Sequence, residues 1–317
     1  MKIDLNGILD SQRLAISRAL SFVENTDNLD MALTDALFQH LGRAYRIGVT
    51  GPPGAGKSSL VDRIITYWRG QHKRIAVISV DPTSPFTGGA ILGDRVRMGQ
   101  HYADKNVFIR SMATRGNHGG LALRAQDAAD IFDAAGYDII VYETVGVGQV
   151  ELDVAKAADT TLVVLVPESG DDIQAMKAGL MEIADLFIIN KADRQGANQA
   201  FAQIQSMLEM RPPEIGLWPP QVIKTSAIKD EGITDLTDAL VEHRQFLQQH
   251  GIIRQNFRDR ILSKIRSHID ENVLDNFWTV ARQKILDQAL SSENIRGILP
   301  GQIVDSILKG EAGQVQK

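Results

Sequence analysis

The densest chemistry in the chain sits in nine consecutive residues: Gly51, Pro52, Pro53, Gly54, Ala55, Gly56, Lys57, Ser58 and Ser59. They match G-x-x-x-x-G-K-[ST], with the apolar run "YRIGVT" before them and the amphipathic run "SSLVDRIITYWRG" after. Glycines permit a tight turn whose amide protons face an anion, and the following helix adds the positive end of its dipole. Lys57 has the reach for terminal phosphates, and the Ser58 hydroxyl suits Mg²⁺. A strand, this loop and then a helix together point to a nucleoside triphosphate.

A second cluster reads the base. Asn190, Lys191 and Asp193 stand in "FIINKAD", at the end of an apolar run. A carboxylate at Asp193 can accept both guanine N1–H and the exocyclic N2–H₂, a donor pair that adenine lacks, so the pattern selects GTP over ATP. Ser226 and Ala227, in "KTSA", are placed to close over the guanine edge.

Three acids are candidates for Mg²⁺: Asp81 closing "RIAVISVD", Asp94 in "ILGDRVRM" and Glu143 closing "YDIIVYE". Ligands of such sheets gather at the carboxyl ends of the strands, and a cation removes the repulsion among acids gathered there. Asp94 taken alone also fits a solvated loop acid. Glu143 and Gly146 form an acid-x-x-Gly pattern, in which the Gly146 amide senses the γ-phosphate and Gly148 lets the loop relax after hydrolysis. Small Ras-like enzymes carry a water-positioning Gln directly after that glycine. Here the residue is Val147, with Gln149 two positions further on, so slow turnover raised by a partner is expected.

These residues need a scaffold that sets them along one edge. Apolar runs at "YRIGVT", "RIAVISVD", "NVFIRS", "YDIIVYE", "TTLVVLVP", "LFIIN" and "PQVIKTS" predict strands. Helical patterns at 121–135, 152–158, 171–183 and 197–210 separate most of them. Alternation of this kind predicts an α/β fold with a largely parallel sheet flanked by helices, as in P-loop NTPases. Two helical patterns precede the first strand and read as an N-terminal extension, residues 1–42. The nucleotide domain spans 43–245. Residues 246–317 are helical, with Ile253, Phe257, Ile261, Ile265, Ile269, Val273, Phe277, Val280 and Ile285 recurring mostly three or four apart. That stripe suits either packing back on the parent domain or a dimerisation arm, and the last residues form a flexible tail.

Composition excludes much else. The 317 residues include no cysteine, which removes disulfides, thiolate metal sites and cysteine nucleophiles. A net charge of −5 offers no basic field for nucleic acid. Neither a signal-like start nor a membrane-length apolar run is present, so a cytoplasmic location is expected.

The stretches "TGPPGAGKSSL", "ISVDPTSPFTGGAILGDRVRM", "FIRSMATRGNHGGL", "YETVGVGQVE", "PESGDDIQAMKAGLMEIAD" and "NKAD" together resemble the MeaB/ArgK/MMAA-type P-loop GTPases. The resemblance implies a homodimeric GTPase that serves as chaperone of an adenosylcobalamin-dependent acyl-CoA mutase, typically methylmalonyl-CoA mutase. Such proteins gate cofactor loading, help remove damaged cobalamin and are stimulated by the mutase. Adenosylcobalamin would belong to the partner, and a cobalamin adenosyltransferase is a second candidate partner. Carried onto this chain, Lys57 and Ser58 hold phosphate and metal, while Asp81, Asp94 and Glu143 surround Mg²⁺. Residues 167–178 match the family's third switch, with Lys177 as its switch lysine. Two departures stand out. His118 occupies an apolar slot in "RGNHGGL", where a catalytic base is one reading, and Glu168 replaces a small residue in "PESGD". Competing readings are a nickel-insertion metallochaperone, a transport ATPase or kinase, and a nucleotide-binding adaptor without turnover.

Overall fold

β1 (Tyr45–Thr50), β4 (Ile139–Thr144), β5 (Thr160–Leu165) and β6 (Leu186–Ile189) are buried along their whole length. Continuous Val/Ile-rich runs of this kind belong to a sheet covered on both faces. With β2 (Ile75–Pro82), β3 (Val107–Thr114) and β7 (Gln221–Lys224) they form a seven-stranded sheet of order β3-β2-β4-β1-β5-β6-β7. Every neighbouring pair is parallel. This computed structural model describes residues 3–26, 31–82, 98–114, 120–144, 150–168, 179–210, 216–290 and 300–309.

Alternate residues of each strand feed two separate cores. On β1, Tyr45, Ile47 and Val49 pack with Leu60, Ile64 and Trp68 of α4 (Lys57–Gly70) and with Leu236 and Leu240 of α9 (Ile233–Gln249). On the opposite face, Ile140 and Tyr142 of β4 join Ala128 and Phe132 of α5 (Gly120–Ala134). That second core extends into the N-terminal helices α1 (Leu5–Leu9), α2 (Arg13–Asn25) and α3 (Met31–Leu37). Ile16 and Leu20 of α2 are fully buried there, and each such side chain contributes about 1.5–3 kcal/mol by leaving water. Arg13 secures α2 by donating to the Val107 carbonyl at 2.9 Å. The N-terminal helices are thus built into one face of the sheet. Beyond β5, α6 (Val150–Ala157), α7 (Leu180–Ile183) and α8 (Ala197–Glu209) complete the flanking layers.

Charges lie inside this fold where the strand pattern alone predicts apolar packing. Arg46 on β1 is 1 % exposed and donates to Asp130 at 2.8 Å, with Asp133 at 3.4 Å. Burial would push the guanidinium down, yet Tyr142, Asp130 and Asp133 outweigh it and hold it above its ordinary value. Asp133 also accepts the backbone N–H groups of Gly42, Arg43 and Ala44 at 2.7, 3.1 and 2.9 Å, fixing the approach to β1. Asp159 accepts the Arg46 N–H at 3.0 Å and Arg260 Nη1 at 2.7 Å. Removing one member of such a set leaves an uncompensated buried charge, typically costing about 3–5 kcal/mol.

A further polar group links β1, β5 and α9. His243 Nδ1 lies 2.9 Å from Thr160 Oγ1, which also meets the Tyr45 hydroxyl, and Nε2 lies 3.6 Å from the Asp185 carboxylate. Burial drives the His243 imidazole down to about 4 and the Asp185 carboxyl up to about 7. His243 is folded with a depressed value, so below pH 6.5 the unfolded chain binds the extra proton, and stability falls as pH drops toward 4. Asp185 acts in the opposite sense between pH 3.8 and 7, but 32 % of its side chain is exposed against 1 % for His243. Solvent screening therefore weakens the Asp185 contribution. Urea unfolding should show His243→Gln flattening the acid slope, retaining on the order of 2 kcal/mol more of its pH 7 stability at pH 4.5 than the parent chain does. Parallel slopes would mean that His243 does not control it.

The chain divides into two compact units, residues 1–260 and 261–317. The boundary falls within α10 (Ile252–Phe277). Inside the first unit, Phe257 packs against Phe38 with ring centroids 6.1 Å apart. In the second, Arg282 of α11 (Val280–Leu290) donates to the Ile307 carbonyl of α12 (Pro300–Lys309) at 3.1 Å. Ile265, Ile269 and Val273 remain 42, 53 and 60 % exposed. Among the described residues, no helix is long and apolar enough to cross a membrane.

Candidate nucleotide site

The phosphate loop leaves β1 at the centre of the sheet, with β4 on one side and β5 on the other. Successive connections diverge from this strand, the kind of crevice in which open α/β sheets bind ligands. Two of its glycines meet close neighbours at positive φ. A Cβ on Gly51 (φ 137°) would stand 2.0 Å from the Val164 carbonyl oxygen, and one on Gly56 (φ 87°) 2.4 Å from Asn190 Nδ2. Gly56 also starts α4 without a side-chain cap, so the helix N-terminus is open to an anion rather than closed by its own sequence. Lys57 is buried and donates to the Gly51 and Pro52 carbonyls at 2.7 and 3.0 Å. Its ammonium thereby spans the loop mouth. Pro53 and Gly54 form the exposed crest of the loop, Ala55 is buried beneath it, and Ser59 is half-buried in the first turn of α4.

Ser58 and Glu143 come together. The serine hydroxyl donates to Glu143 Oε1 at 2.5 Å, and both residues are buried. Glu143 is placed by register: it pairs with Val49 on β1 and Ser79 on β2. Asp81 lies two residues beyond Ser79, so its backbone extends to the same edge of the sheet. Among the described residues no three acids or histidines converge on one point. The Ser58–Glu143 pair is nonetheless an oxygen-only donor set at the phosphate loop, which fits a hard divalent cation such as Mg²⁺. Asp94, Gly146 and Lys177 lie outside the described residues, as do His118, Val147, Gly148 and Gln149.

The residues expected to read the base follow β6 and β7. Asn190 is 2 % exposed, and its side chain faces protein on both sides. Nδ2 donates to the Ala55 carbonyl at 2.8 Å, while Oδ1 accepts from Thr225 Oγ1 and Ala227 N–H, each at 3.2 Å. Asn190 therefore ties the phosphate loop to the 225–227 turn. Lys191, at φ 57°, reaches back to donate to the Gly54 carbonyl at 2.7 Å. Asp193 accepts the Ser226 hydroxyl at 2.7 Å, with Lys229 Nζ at 3.9 Å. The Ser226 bond holds its carboxyl below the usual carboxylate range, so an ionised acceptor is presented at the surface.

Three further side chains stand around these loops, and no local motif announces them. Arg63 on α4 donates from Nε to the Ala227 carbonyl at 2.8 Å. Ile228, next to Ala227, is 81 % exposed. Arg194, directly after Asp193, donates to Glu168 at 2.8 Å, and this bond holds the Glu168 carboxyl below its ordinary range. Glu168 thus joins the segment after β5 to the base loop through an exposed pair, a class of contact worth little by itself.

Residues 16–282 match the family model described as "Methylmalonyl Co-A mutase-associated GTPase MeaB". A relative from Pyrococcus abyssi is 43 % identical over 300 residues, covering 94 % of this chain and 92 % of its own. GTPase ArgK of Escherichia coli is 35 % identical over 274 residues, covering 84 % and 83 %. Methylmalonic aciduria type A homolog, mitochondrial, of Mus musculus is 33 % identical over 329 residues, covering 96 % and 77 %. A solved structure described as LAO/AO transport system kinase superposes with a TM-score of 0.72 at 27 % identity, covering 96 % of this chain and 95 % of that one. With its phosphate loop and base loop joined through Asn190, and with the family match running through both, this chain belongs to the MeaB family of GTPases.

Proposed function

We propose that this protein hydrolyses GTP to GDP and phosphate as the chaperone of an adenosylcobalamin-dependent acyl-CoA mutase, methylmalonyl-CoA mutase being the first candidate. The observation that carries the GTP reading is the Asn190 bridge, which holds a phosphate cradle and a guanine-type carboxylate in one rigid arrangement. The family match and the mouse relative support the mutase as partner.

In this reading the amides of residues 51–58 and the Lys57 ammonium hold the phosphates, and Asp193 accepts from the guanine edge. Ser58 and Glu143 hold Mg²⁺, with Asp81 and Asp94 as the other acids. The cation supplies charge neutralisation on the phosphate oxygens, where negative charge builds up during transfer. Gly146 reports the γ-phosphate, and the 167–178 segment with Lys177 transmits nucleotide state to the mutase. Water attacks the γ-phosphorus, the bond to the β–γ bridging oxygen breaks, and GDP leaves. Val147 has no side-chain carboxamide to orient that water, so the chain alone turns over slowly and the mutase accelerates it.

The exposed row Ile265, Ile269 and Val273 supports a homodimer built through residues 246–317. Adenosylcobalamin stays with the mutase, a cobalamin adenosyltransferase is a further partner, and the cytoplasm is the working compartment.

The deciding experiment mixes purified protein with candidate mutases and follows phosphate release and cobalamin transfer together. Stimulation of hydrolysis by about tenfold or more is expected, on the pattern of partner-completed GTPase sites. A mutase panel that leaves both hydrolysis and cobalamin transfer unchanged would reject the chaperone role while leaving GTP binding intact.

A further inference from the structure

Arg63 stands on α4, the helix whose first turn carries Lys57 and Ser58. Its side chain crosses to a different loop. Nε donates to the Ala227 carbonyl at 2.8 Å, and the same atom lies 3.7 Å from the Asp230 carboxylate. The N–H of Ala227 is already taken by Asn190 Oδ1 at 3.2 Å. Ala227 is therefore held by its N–H from Asn190, just after β6, and by its carbonyl from α4. The loop closes on itself through the Ser226–Glu231 bridge, turning at Asp230 with φ 60°.

This double anchoring has an unusual product. Ile228, directly after Ala227, is the most exposed large apolar side chain among the described residues, at 81 %. Single exposed apolar residues are ordinary on protein surfaces, so Ile228 alone says little. Held on a loop pinned from two elements, next to the Asp193–Ser226 pair, it offers a fixed apolar face beside a carboxylate that can read a base edge. Arg63 is 32 % exposed on its side chain, and it turns toward a carbonyl rather than into water.

We propose that Arg63 is a positioning residue for the purine base: by fixing the Ser226–Glu231 loop it sets Ile228 over one face of the base while Asp193 reads the edge. The proposal rests on the guanine-nucleotide reading given above. It also makes base recognition and phosphate recognition mechanically connected, because the helix that starts at the phosphate loop carries the arginine that shapes the base loop.

The test measures GDP and inorganic pyrophosphate affinities by calorimetry for the parent chain, Arg63→Met, Arg63→Lys and Ile228→Ala, with ADP as a control. Arg63→Met should weaken GDP about tenfold, the scale of one charge-assisted hydrogen bond, and leave pyrophosphate within about twofold. Arg63→Lys, which keeps a cationic donor, should recover part of the loss. Ile228→Ala should weaken GDP alone by about threefold, as a lost apolar contact predicts. Melting curves recorded on each variant separate misfolding from a local effect, and Arg63→Lys with Ile228→Ala carries the comparison if Arg63→Met does not fold. Unchanged GDP affinity in Arg63→Met, or equal losses for GDP and pyrophosphate, overturns the positioning role. A parent chain that binds GDP no better than ADP overturns the guanine reading itself, and the proposal with it.

Discussion

Lys57→Ala is expected to abolish productive triphosphate binding. The ammonium is buried at the mouth of the phosphate loop, held by the Gly51 and Pro52 carbonyls at 2.7 and 3.0 Å. No other lysine or arginine stands within the 51–59 loop itself. A charge-assisted bond of this kind is worth about 1.5–3 kcal/mol, and two of them to phosphate oxygens correspond to a loss of about 10²–10⁴ in affinity. The fold should survive, because Lys57 bonds to carbonyls at the edge of the loop that water can reach once the side chain is gone. Titration with a fluorescent GTP analogue, alongside a melting curve of the ligand-free protein, measures both. Unchanged affinity for the analogue would dismiss the phosphate-loop assignment.

Asp193→Asn should change the base preference rather than abolish binding. The carboxylate is acceptor-only and kept ionised by the Ser226 hydroxyl at 2.7 Å, which suits the two donors that guanine presents. An amide keeps an acceptor for Ser226 but turns an NH₂ toward guanine's own donors, leaving them unpaired. Sites built on such pairing discriminate strongly against a mismatched edge. GTP affinity should fall by about 10²–10³ while xanthosine triphosphate, with a carbonyl at the 2-position, gains. Competition of the two nucleotides against one labelled ligand reads the crossover. Equal GTP affinity in parent and variant would show that Asp193 does not face the base.

The two changes test different links between sequence and structure. Lys57 belongs to a contiguous motif, and its function follows from the loop that encloses it. Asn190 stands in a motif of equal clarity, yet its side chain bonds to Ala55, Thr225 and Ala227. It is legible as part of a nucleotide site but not as the brace between the site's two halves, because its partners lie 135 and 35–37 residues away. Glu143 was legible as an acid at a strand end. Its bond to Ser58 became visible only once β4 lay beside β1 in register, with Val49 opposite Glu143.

The apolar patterns were legible to the extent that burial follows period. Strand runs, the α4 stripe and the α2 stripe all appear as elements at about the expected positions, since each pattern is local and bounded by turns. The C-terminal stripe was ambiguous because periodicity states which face is apolar and not what covers it. In the structure the stripe divides, with Phe257 packed on Phe38 while Ile265, Ile269 and Val273 stay exposed. Arg46 shows the converse limit. The run "YRIGVT" reads as an apolar strand and does not say where its arginine goes; both faces of β1 are covered, and the guanidinium is buried against Asp130 and Asp133.

By itself the sequence pointed to a nucleoside triphosphate on a parallel α/β sheet, and named the candidate residues for phosphate and base. Those signals reside in short contiguous segments whose geometry is dictated by glycine conformation, helix polarity and hydrogen-bond complementarity. Only the tertiary structure decided that Arg63 reaches the loop that carries Ile228, that Asn190 ties this loop to the phosphate loop, and that Arg46, Asp159 and His243 are interior groups. Each of those roles depends on a partner far along the chain, and the distance between such partners is set by sheet order and strand register, which no local stretch encodes.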